Sequence, residues 1–542
     1  MSNQDIQAAR DYHEVTKLAY INLGNKPPLY KDYADGELVA LPVPALEAVA
    51  GPAGGTGSLD ITTLARLLYF SAGLVRKRVL PLAGEVHYRA AASAGALYPI
   101  EVYLVCRDIP GLAAGLYHFS PLDFSLRQLR DGDHRGTLLA AAAGDPQVAA
   151  APGILVFTAI FWRSAWKYRP RSYRYCLWDC GTMLANLLAT AQGEIGLPAK
   201  VVAGFVDEAV NGFLGLQQGR EAALCLVPVG AGGSLQDFPS EGGEQCAGPD
   251  PLPVTPGDAA GGVIEYPEIR RIHDASCLAT DGEVAAWRVG AAAPGPWRTR
   301  EKLQSYSPGS AAASPQSTLF PLAKGGAASM SLGQAVLGRV STRRFSRESI
   351  PSSQLRSILD GATKRLPADF TGPKGEGLVD TYVIANAVEG LPSGAYFFSP
   401  GDGELELLKE GAFREEAGHL CFEQALGADA SAVLFLMADL ERVLAGLGNR
   451  GYRAAQLEAG IVVGNVYLCA HSLGLGASGI TFYDDEVTAF FSPHAAGKSV
   501  MFVVVLGVTH QKNQVRPFRS RVGEMLDALA RGASGAARPQ KA

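Results

Sequence analysis

The sequence predicts an α+β fold built twice in tandem, and three observations carry that prediction. The first is a repeat: Gly115-Leu116-Tyr117-His118-Phe119-Ser120-Pro121 returns as Gly394-Ala395-Tyr396-Phe397-Phe398-Ser399-Pro400, 279 positions later. The same separation joins Tyr103 to Tyr382, Tyr173 to Tyr452, Gly181 to Gly460 and Asn186 to Asn465, a regularity that chance does not supply. Near the end it shortens to 277, pairing Phe205-Val206-Asp207 with Phe482-Tyr483-Asp484 and Gly230 with Gly507. The second observation is that each copy reads as helix, strand, long helix, strand. The third is size: 542 residues, 47% hydrophobic and 19% charged, suit two large globular domains better than one core or a disordered chain.

Taken in order, residues 12–20 read as a short amphipathic helix, followed by an apolar stretch from Leu38 to Leu46. Similar features recur at Tyr266–His273 and Leu319–Leu322, so the second half has its own lead-in. Leu64, Leu67, Leu68 and Ala72 have helical spacing, and Gly73 supplies a stop. Arg89–Pro99 is rich in small residues and enters a β-branched strand, Ile100–Val105, as suits a backbone that approaches a ligand closely. Long helices are predicted over Cys176–Thr190 and Ala454–Ser472, with apolar faces suited to a contact between the copies, and Ala223–Val229 and Ser499–Val505 read as closing strands. Residues 231–262 and 290–330 have linker composition. The expected organisation is a first domain over 1–235, a linker with a short helix over 236–330, a second domain over 331–525 and a flexible tail over 526–542.

A net charge of −5 gives no broad basic field for nucleic acid. The eight cysteines are scattered, with Cys176 and Cys180 four apart in a helical run and no metal-ligand spacing, so no metal site is predicted. No uncharged apolar run reaches the ~20 residues that span a bilayer, and Met1-Ser2-Asn3-Gln4-Asp5 does not open a secretory leader; a cytoplasmic location is the expectation. His87 and His118 read as structural or exposed, and the recurrence of Asp207 as Asp484 suggests a shared turn or cap.

One stretch breaks the symmetry. Trp166-Lys167-Tyr168-Arg169-Pro170-Arg171-Ser172-Tyr173-Arg174 returns with Gly446 and Leu447 in place of Lys167 and Tyr168, while Arg171, Tyr173 and Arg174 persist as Arg450, Tyr452 and Arg453. Alone, the dipeptide reads more readily as a surface cation beside a packing aromatic than as a reactive pair.

Arg89–Tyr103 resembles the Arg-x-x-Pro-Ser-Ala-Gly-Ala-x-x-Pro-x-Glu-x-Tyr element, and Lys167–Arg174 the Lys-Tyr-Gly-Asp-Arg-Gly-Tyr-Arg element, of the SagB/ThcOx-type dehydrogenases within the FMN-dependent nitroreductase superfamily. This sequence departs at Ala92, at Arg169-Pro170 and at Ser172. The resemblance covers about 12–230 and 336–521. It implies a nitroreductase-like fold in each half, an intramolecular pseudo-dimer, and FMN at the interface. Arg339-Val340-Ser341-Thr342-Arg343-Arg344-Phe345 resembles the start of such a domain, which implies phosphate binding by Arg339, Ser341 and Arg343, with Arg516 and Arg519 as further cations. It places Gly479 and Thr481 on the flavin face, Gln424 as a further flavin contact, and Arg89, Ser93, Ala94 and Ala96 in the complementary loop. The second-copy counterpart, Thr371–Leu378, has lost that motif, so one FMN per chain is expected. Lys167 and Tyr168 become a proton-handling pair, the ammonium favouring the phenolate. The implied activity is two-electron dehydrogenation of a peptide azoline to an azole, on a modified-peptide or other small substrate, with a cyclodehydratase as a possible partner. An NAD(P)H-dependent nitro, quinone or enone reductase and a non-catalytic docking scaffold are the alternatives.

Overall fold

A computed structural model describes residues 3–4, 6–17, 27–33, 36–44, 58–80, 84–217, 219–231, 263–292, 319–322, 330–372, 375–400 and 403–510. Each half is a mostly antiparallel sheet flanked by helices. The first sheet runs Leu38–Ala40, Ser125–Asp131, Gly115–Ser120, Ile100–Cys106, Gly153–Ile160, Glu221–Val229 across its width. The second runs Gly476–Ile480, Ser499–Gly507, Ala432–Ala438, Asp380–Ala385, Gly394–Ser399, Glu404–Glu410, Leu319–Pro321. Strand register reproduces the sequence repeat. Tyr103 faces His118 and Val156, and Tyr382 faces Phe397 and Phe435. The lead-in strands obey it too: Leu38–Ala40 pairs with Ser125–Arg127, and Leu319–Pro321 with Glu404–Glu406. Central strands such as Ile100–Cys106 and Ala432–Ala438 are buried throughout, because helices cover both faces; that is why they read as continuous apolar runs.

The halves meet along their long helices, Ser172–Leu188 and Leu440–Ser472. Their crossing is set by glycine on glycine: a Cβ at Gly181 would lie 2.6 Å from Gly460 backbone, and one at Gly460 would lie 2.7 Å from the Trp178 carbonyl. Only hydrogen side chains allow this approach. Gly460→Ala is therefore expected to cost about 1–3 kcal/mol, because backbone cannot move aside as a side chain could. Urea unfolding checks it, with Gly193→Ala, where a Cβ meets nothing within 4 Å, as the neutral comparison.

Flanking the crossing, charge is exchanged across the pseudo-two-fold. Asp484 of the second half accepts from Arg171 (2.9 Å) and Arg174 (2.5 Å) of the first. Asp207 of the first half accepts from Arg450 (2.6 Å) and Arg453 (2.8 Å) of the second. All six side chains are buried. Asp207 and Asp484 do begin short helices, as a shared cap would, but their carboxylates are the receptors of an inter-half ion-pair lock. The lead-in helices complete it. Arg171 donates to the Thr16 carbonyl after the first (Gln7–Val15) and Arg450 to the Ser276 carbonyl after the second (Pro267–Ala275).

Several boundaries differ from the sequence reading. The first lead-in helix is Gln7–Val15, and residues 18–20 lie outside the described ones. The second long helix starts at Leu440, because its first two turns repeat the Phe161–Tyr168 helix of the first half. A break separates those turns from the rest in both copies, with positive φ at Arg169 (50°) and Gly448 (59°). Among the described residues between the halves lie two helices where one was expected, Pro267–Ala275 and Asp281–Ala292. Their packed faces bury Ile269, Ile272, Val284 and Trp287. The segment therefore contributes to the fold rather than merely joining it.

Candidate active site

Lys167 and Tyr168 end the Phe161–Tyr168 helix, just before the break at Arg169. Tyr168 stacks on Tyr175 at 4.1 Å between centroids, and the Lys167 ammonium lies 5.1 Å from the Tyr168 ring. The small-residue loop predicted to approach a ligand lies directly against this pair. A Cβ at Gly95 would be 2.9 Å from the Tyr168 hydroxyl and 3.3 Å from Lys167 Nζ. Gly95, Ala96 and Tyr98 all have positive φ, so the loop's course is strained and must be held by its surroundings.

What holds it was not legible in the sequence. Asp179, one helical turn beyond Tyr175, has one carboxylate oxygen 2.5 Å from Ser93 Oγ, and its other oxygen accepts from Ala94 N at 3.0 Å. Ser93 Oγ also accepts from Tyr98 N (2.9 Å), and Thr182 Oγ1 donates to the Ala92 carbonyl (2.7 Å). Burial pushes the Asp179 carboxyl up to about 7 against the opposing pull of Ser93, the Ala94 amide and Arg89. The Ser93 side chain is thus turned into the protein, while Ala94 and Ala96 are half-buried and Gly95 is exposed. Arg89 is buried beneath the loop, donating to the Ile100 and Leu29 carbonyls.

From the second half, the 339–343 segment runs beside strand Gly476–Ile480: Ser341 bridges Ala477, and Thr342 N donates to the Ala477 carbonyl. Tyr467, on the second long helix, ties the two together. Its hydroxyl lies 3.1 Å from Ser341 Oγ and accepts from Gly479 N at 2.7 Å. Arg339 is buried over the Tyr467 ring and donates to the Ala90 carbonyl of the first half, so it bridges directly to the Ser93 loop. Arg343 is exposed, and its charge acts on both Lys167 and Tyr168. An aromatic run, Tyr168–Tyr175–Trp178–Phe502, links the pair to Gly479, whose hydrogen leaves room for the Phe502 ring. Thr481 sits half-buried just past the strand end. The structure thus brings together Lys167, Tyr168, the Ser93–Ala96 loop, Arg339, Ser341, Arg343 and Gly479. The Gln424 amide donates to the Cys421 carbonyl in its own loop, which packs on Tyr483 just beyond Thr481. Arg516 and Arg519 lie outside the described residues.

The proton chemistry differs from the expectation in one respect. Burial, then Tyr175 and Asp179, raise the Tyr168 phenol above its ordinary value, and only Arg343 opposes them. The phenolate is disfavoured. Burial and then Arg343 lower the Lys167 amine, so of the two groups the lysine is the one whose proton-accepting form the surroundings favour, while Tyr168 is held as a neutral donor.

The equivalent place in the other pseudo-site is filled. Ala203 and Gly204 correspond to Ile480 and Thr481, and both Asp369 oxygens accept from their backbone amides at 2.8 Å. Trp287 of helix Asp281–Ala292 lies against Gly204, with its ring 3.0 Å from where a Cβ would be. Its indole donates to the carbonyl of Leu447, the counterpart of Tyr168, at 3.1 Å. Gly290, one turn on, lies over the carbonyl of Gly446, the counterpart of Lys167. A tryptophan, an aspartate and a helix occupy the ground that a second ligand would need.

Two other polar clusters serve the fold. Asp207, His273 and Cys277 have ligand atoms within 4.8 Å of one another, but the Asp207 carboxylate is already matched by two guanidinium groups. A cleft of about 330 Å³ is lined by His13, Asp484, Thr488 and Lys498, and not by Lys167 or Tyr168; Asp484 there serves the ion-pair lock. Among the described residues, no helix is long and apolar enough to cross a membrane.

The phosphate of a phosphorylated cofactor fits the donors present. Arg339 has a buried Nε without a partner among the described residues, beside the Ser341 hydroxyl and the exposed Arg343. Guanidinium forks and a hydroxyl are what a phosphate needs.

The chain belongs to the nitroreductase family, whose signature matches residues 63–231 and 336–508. Among its curated relatives are the microcin B17-processing protein McbC of Escherichia coli and the trifolitoxin-processing protein TfxB of Rhizobium leguminosarum bv. trifolii. McbC is 34% identical over 174 residues, 31% of this chain and 61% of its own length. TfxB is 31% identical over 181 residues, 32% of this chain and 47% of its own length. The match therefore spans about half to three-fifths of those proteins. A crystal structure of a nitroreductase-like protein from Anabaena variabilis aligns over 93% of this chain and 99% of its own, with a TM-score of 0.72 and 27% identity. The SagB/ThcOx-type resemblance is thus joined by two relatives named for the processing of microcin B17 and of trifolitoxin, and the duplicated fold by a near full-length structural counterpart.

Proposed function

We propose that the protein is an FMN-dependent dehydrogenase of the SagB/ThcOx type, oxidising azolines in a modified peptide to azoles. The observation that carries this reading is the one-sided site: Lys167 and Tyr168 lie against the exposed Gly95, facing Arg343 of the other half, while the matching place is filled by Trp287 and Asp369. Bound FMN would supply the two-electron acceptor, held at its phosphate by Arg339, Ser341 and Arg343. Lys167, held below its ordinary pKa, takes the carbon-bound proton, and Tyr168 donates a hydrogen bond beside it. The relatives' roles in microcin B17 and trifolitoxin processing support a peptide substrate, and with it a cyclodehydratase partner that forms the azoline.

The test is anaerobic. A cyclised, azoline-bearing peptide is expected to bleach the flavin absorbance of the purified protein, with NAD(P)H doing so slowly or not at all. Rapid bleaching by NAD(P)H and none by the peptide would instead make it a reductase. Saturation with FMN and desalting should leave about one flavin per chain by absorbance, given the filled second place. Replacing Arg339 and Arg343 together should weaken FMN binding by at least about a hundredfold, since each charge-assisted donor contributes about 1.5–3 kcal/mol. Fluorescence titration measures it, and an unchanged Kd would remove these residues from the phosphate site.

A further inference from the structure

Asp179 occupies a place in this site that neither motif nor resemblance assigned. It lies on the first long helix, 6% exposed, and its two oxygens are spent on one stretch of loop, Ser93 Oγ and Ala94 N. That stretch leads immediately into Gly95, whose α-carbon backs onto Tyr168 and Lys167, and into the positive-φ residues Ala96 and Tyr98. The second half contains the same device with different fittings. Glu458, at the 279-residue separation from Asp179, accepts from Leu378 N (2.8 Å) and Val379 N (3.3 Å), in the loop that leads into the matching strand. The fold therefore pins this loop from the long helix in both copies. Only in the first does the pinned loop face a Lys-Tyr pair.

We propose that Asp179 is a positioning residue for the reaction: through Ser93 and Ala94 it fixes the loop that sets the distance between the bound flavin and Lys167–Tyr168. This rests on the dehydrogenase reading above. Three features support it. The loop's left-handed backbone needs external restraint. Ser93 is held at both ends, by Asp179 and by the Tyr98 amide, so releasing Asp179 frees the Ala94–Tyr98 turn as a unit. And the carboxylate spends its hydrogen bonds on the loop, reaching Tyr168 only by its charge, so its geometric hold is on the loop.

The experiment compares Asp179→Asn with Glu458→Gln, which weakens the same kind of contact in the half without the pair. Amide hydrogen exchange, which requires neither flavin nor substrate, should show faster exchange of the 92–98 segment in D179N and not in E458Q. Circular dichroism of the bound flavin should change in D179N alone. With the azoline peptide, D179N should lower kcat by at least about tenfold with KM within about threefold, the pattern of a misplaced reacting group. A cycle with Ser93→Ala should be non-additive, and Asp179→Glu should recover part of the loss. Unchanged exchange of 92–98 in D179N overturns the proposal, and so does an equal kcat loss in E458Q at matched stability. If no azoline peptide is turned over by the wild type, yet exchange and flavin dichroism respond to D179N alone, the substrate reading fails while the positioning role stands. If the wild type turns over and D179N behaves as wild type in every readout, the positioning role fails alone.

Discussion

Lys167→Ala leaves the fold and the FMN in place and lowers kcat at least ~100-fold on the true substrate, as the loss of a general base does when chemistry limits the rate. The sign of the pH dependence follows from its surroundings. Burial first, and Arg343 second, hold the amine below its ordinary value, so the neutral, proton-accepting form gains population as pH rises. The rate should therefore climb with pH through the lysine titration. Arg343→Ala removes one of the two depressing influences and should move that rising limb to higher pH. Tyr168→Phe keeps the stack on Tyr175 and loses only the hydroxyl, and a loss of ~100-fold is expected here too. Stopped-flow measurement of flavin reduction isolates the chemical step. Near-normal reduction in both single variants and their double would remove the pair from the mechanism.

Arg450→Ala has the largest expected effect on stability. Its guanidinium is fully buried and serves Asp207 along with the Ala203 and Ser276 carbonyls. Its removal leaves a buried carboxylate short of one partner and takes a donor from two buried carbonyls, a loss of about 3–5 kcal/mol. Arg174→Ala, which strips a fully buried guanidinium from Asp484 in the matching half of the lock, should cost a similar amount. Acid reaches the same lock. Although burial alone would raise both carboxyls, Arg450 and Arg453 hold Asp207 down to about 2, and Arg174 and Arg171 hold Asp484 down to about 2. Groups depressed in the folded state stabilise it fully above the unfolded value near 4, and that contribution drains away as pH falls toward 2. Urea midpoints should therefore drop steeply between about pH 4 and 2. Asp207→Asn should be weaker at neutral pH and show a shallower decline. A midpoint for Arg450→Ala within error of wild type would mean that the lock contributes nothing.

The duplication was readable because backbone pairing preserves spacing: the separation joining Tyr103 to Tyr382 is also the register separation of their strands. The pair Lys167–Tyr168 was readable because its counterpart lacks it. Asp179 was not, since one carboxylate in a helix has no local signature, although its alignment with Glu458 was a signal that could have been followed. Trp287 was missed for a related reason. Its helix lies between segments of linker composition, and what it fills becomes visible only once Gly204 and Leu447 are seen on either side. The phenolate expectation for Tyr168 failed because sequence adjacency to a lysine says nothing about depth, and depth dominates. The recurring aspartates gave their position away but not their partners, which lie on the opposite half.

Joining the halves in one chain changes what a single substitution can do. In a two-fold dimer of identical subunits, any residue altered at one site is altered at both, so a bulky group that blocks one binding place blocks its twin. Here Gly204 and Thr481, or Leu447 and Tyr168, hold matching positions yet are encoded separately. A tryptophan can fill one place without entering the other. Symmetric contacts such as Gly181 on Gly460 can be kept where shape demands them, while the rest of each half is free to diverge. The wall behind Trp287 thus becomes solid support, and the chemistry needs to be right only once per molecule.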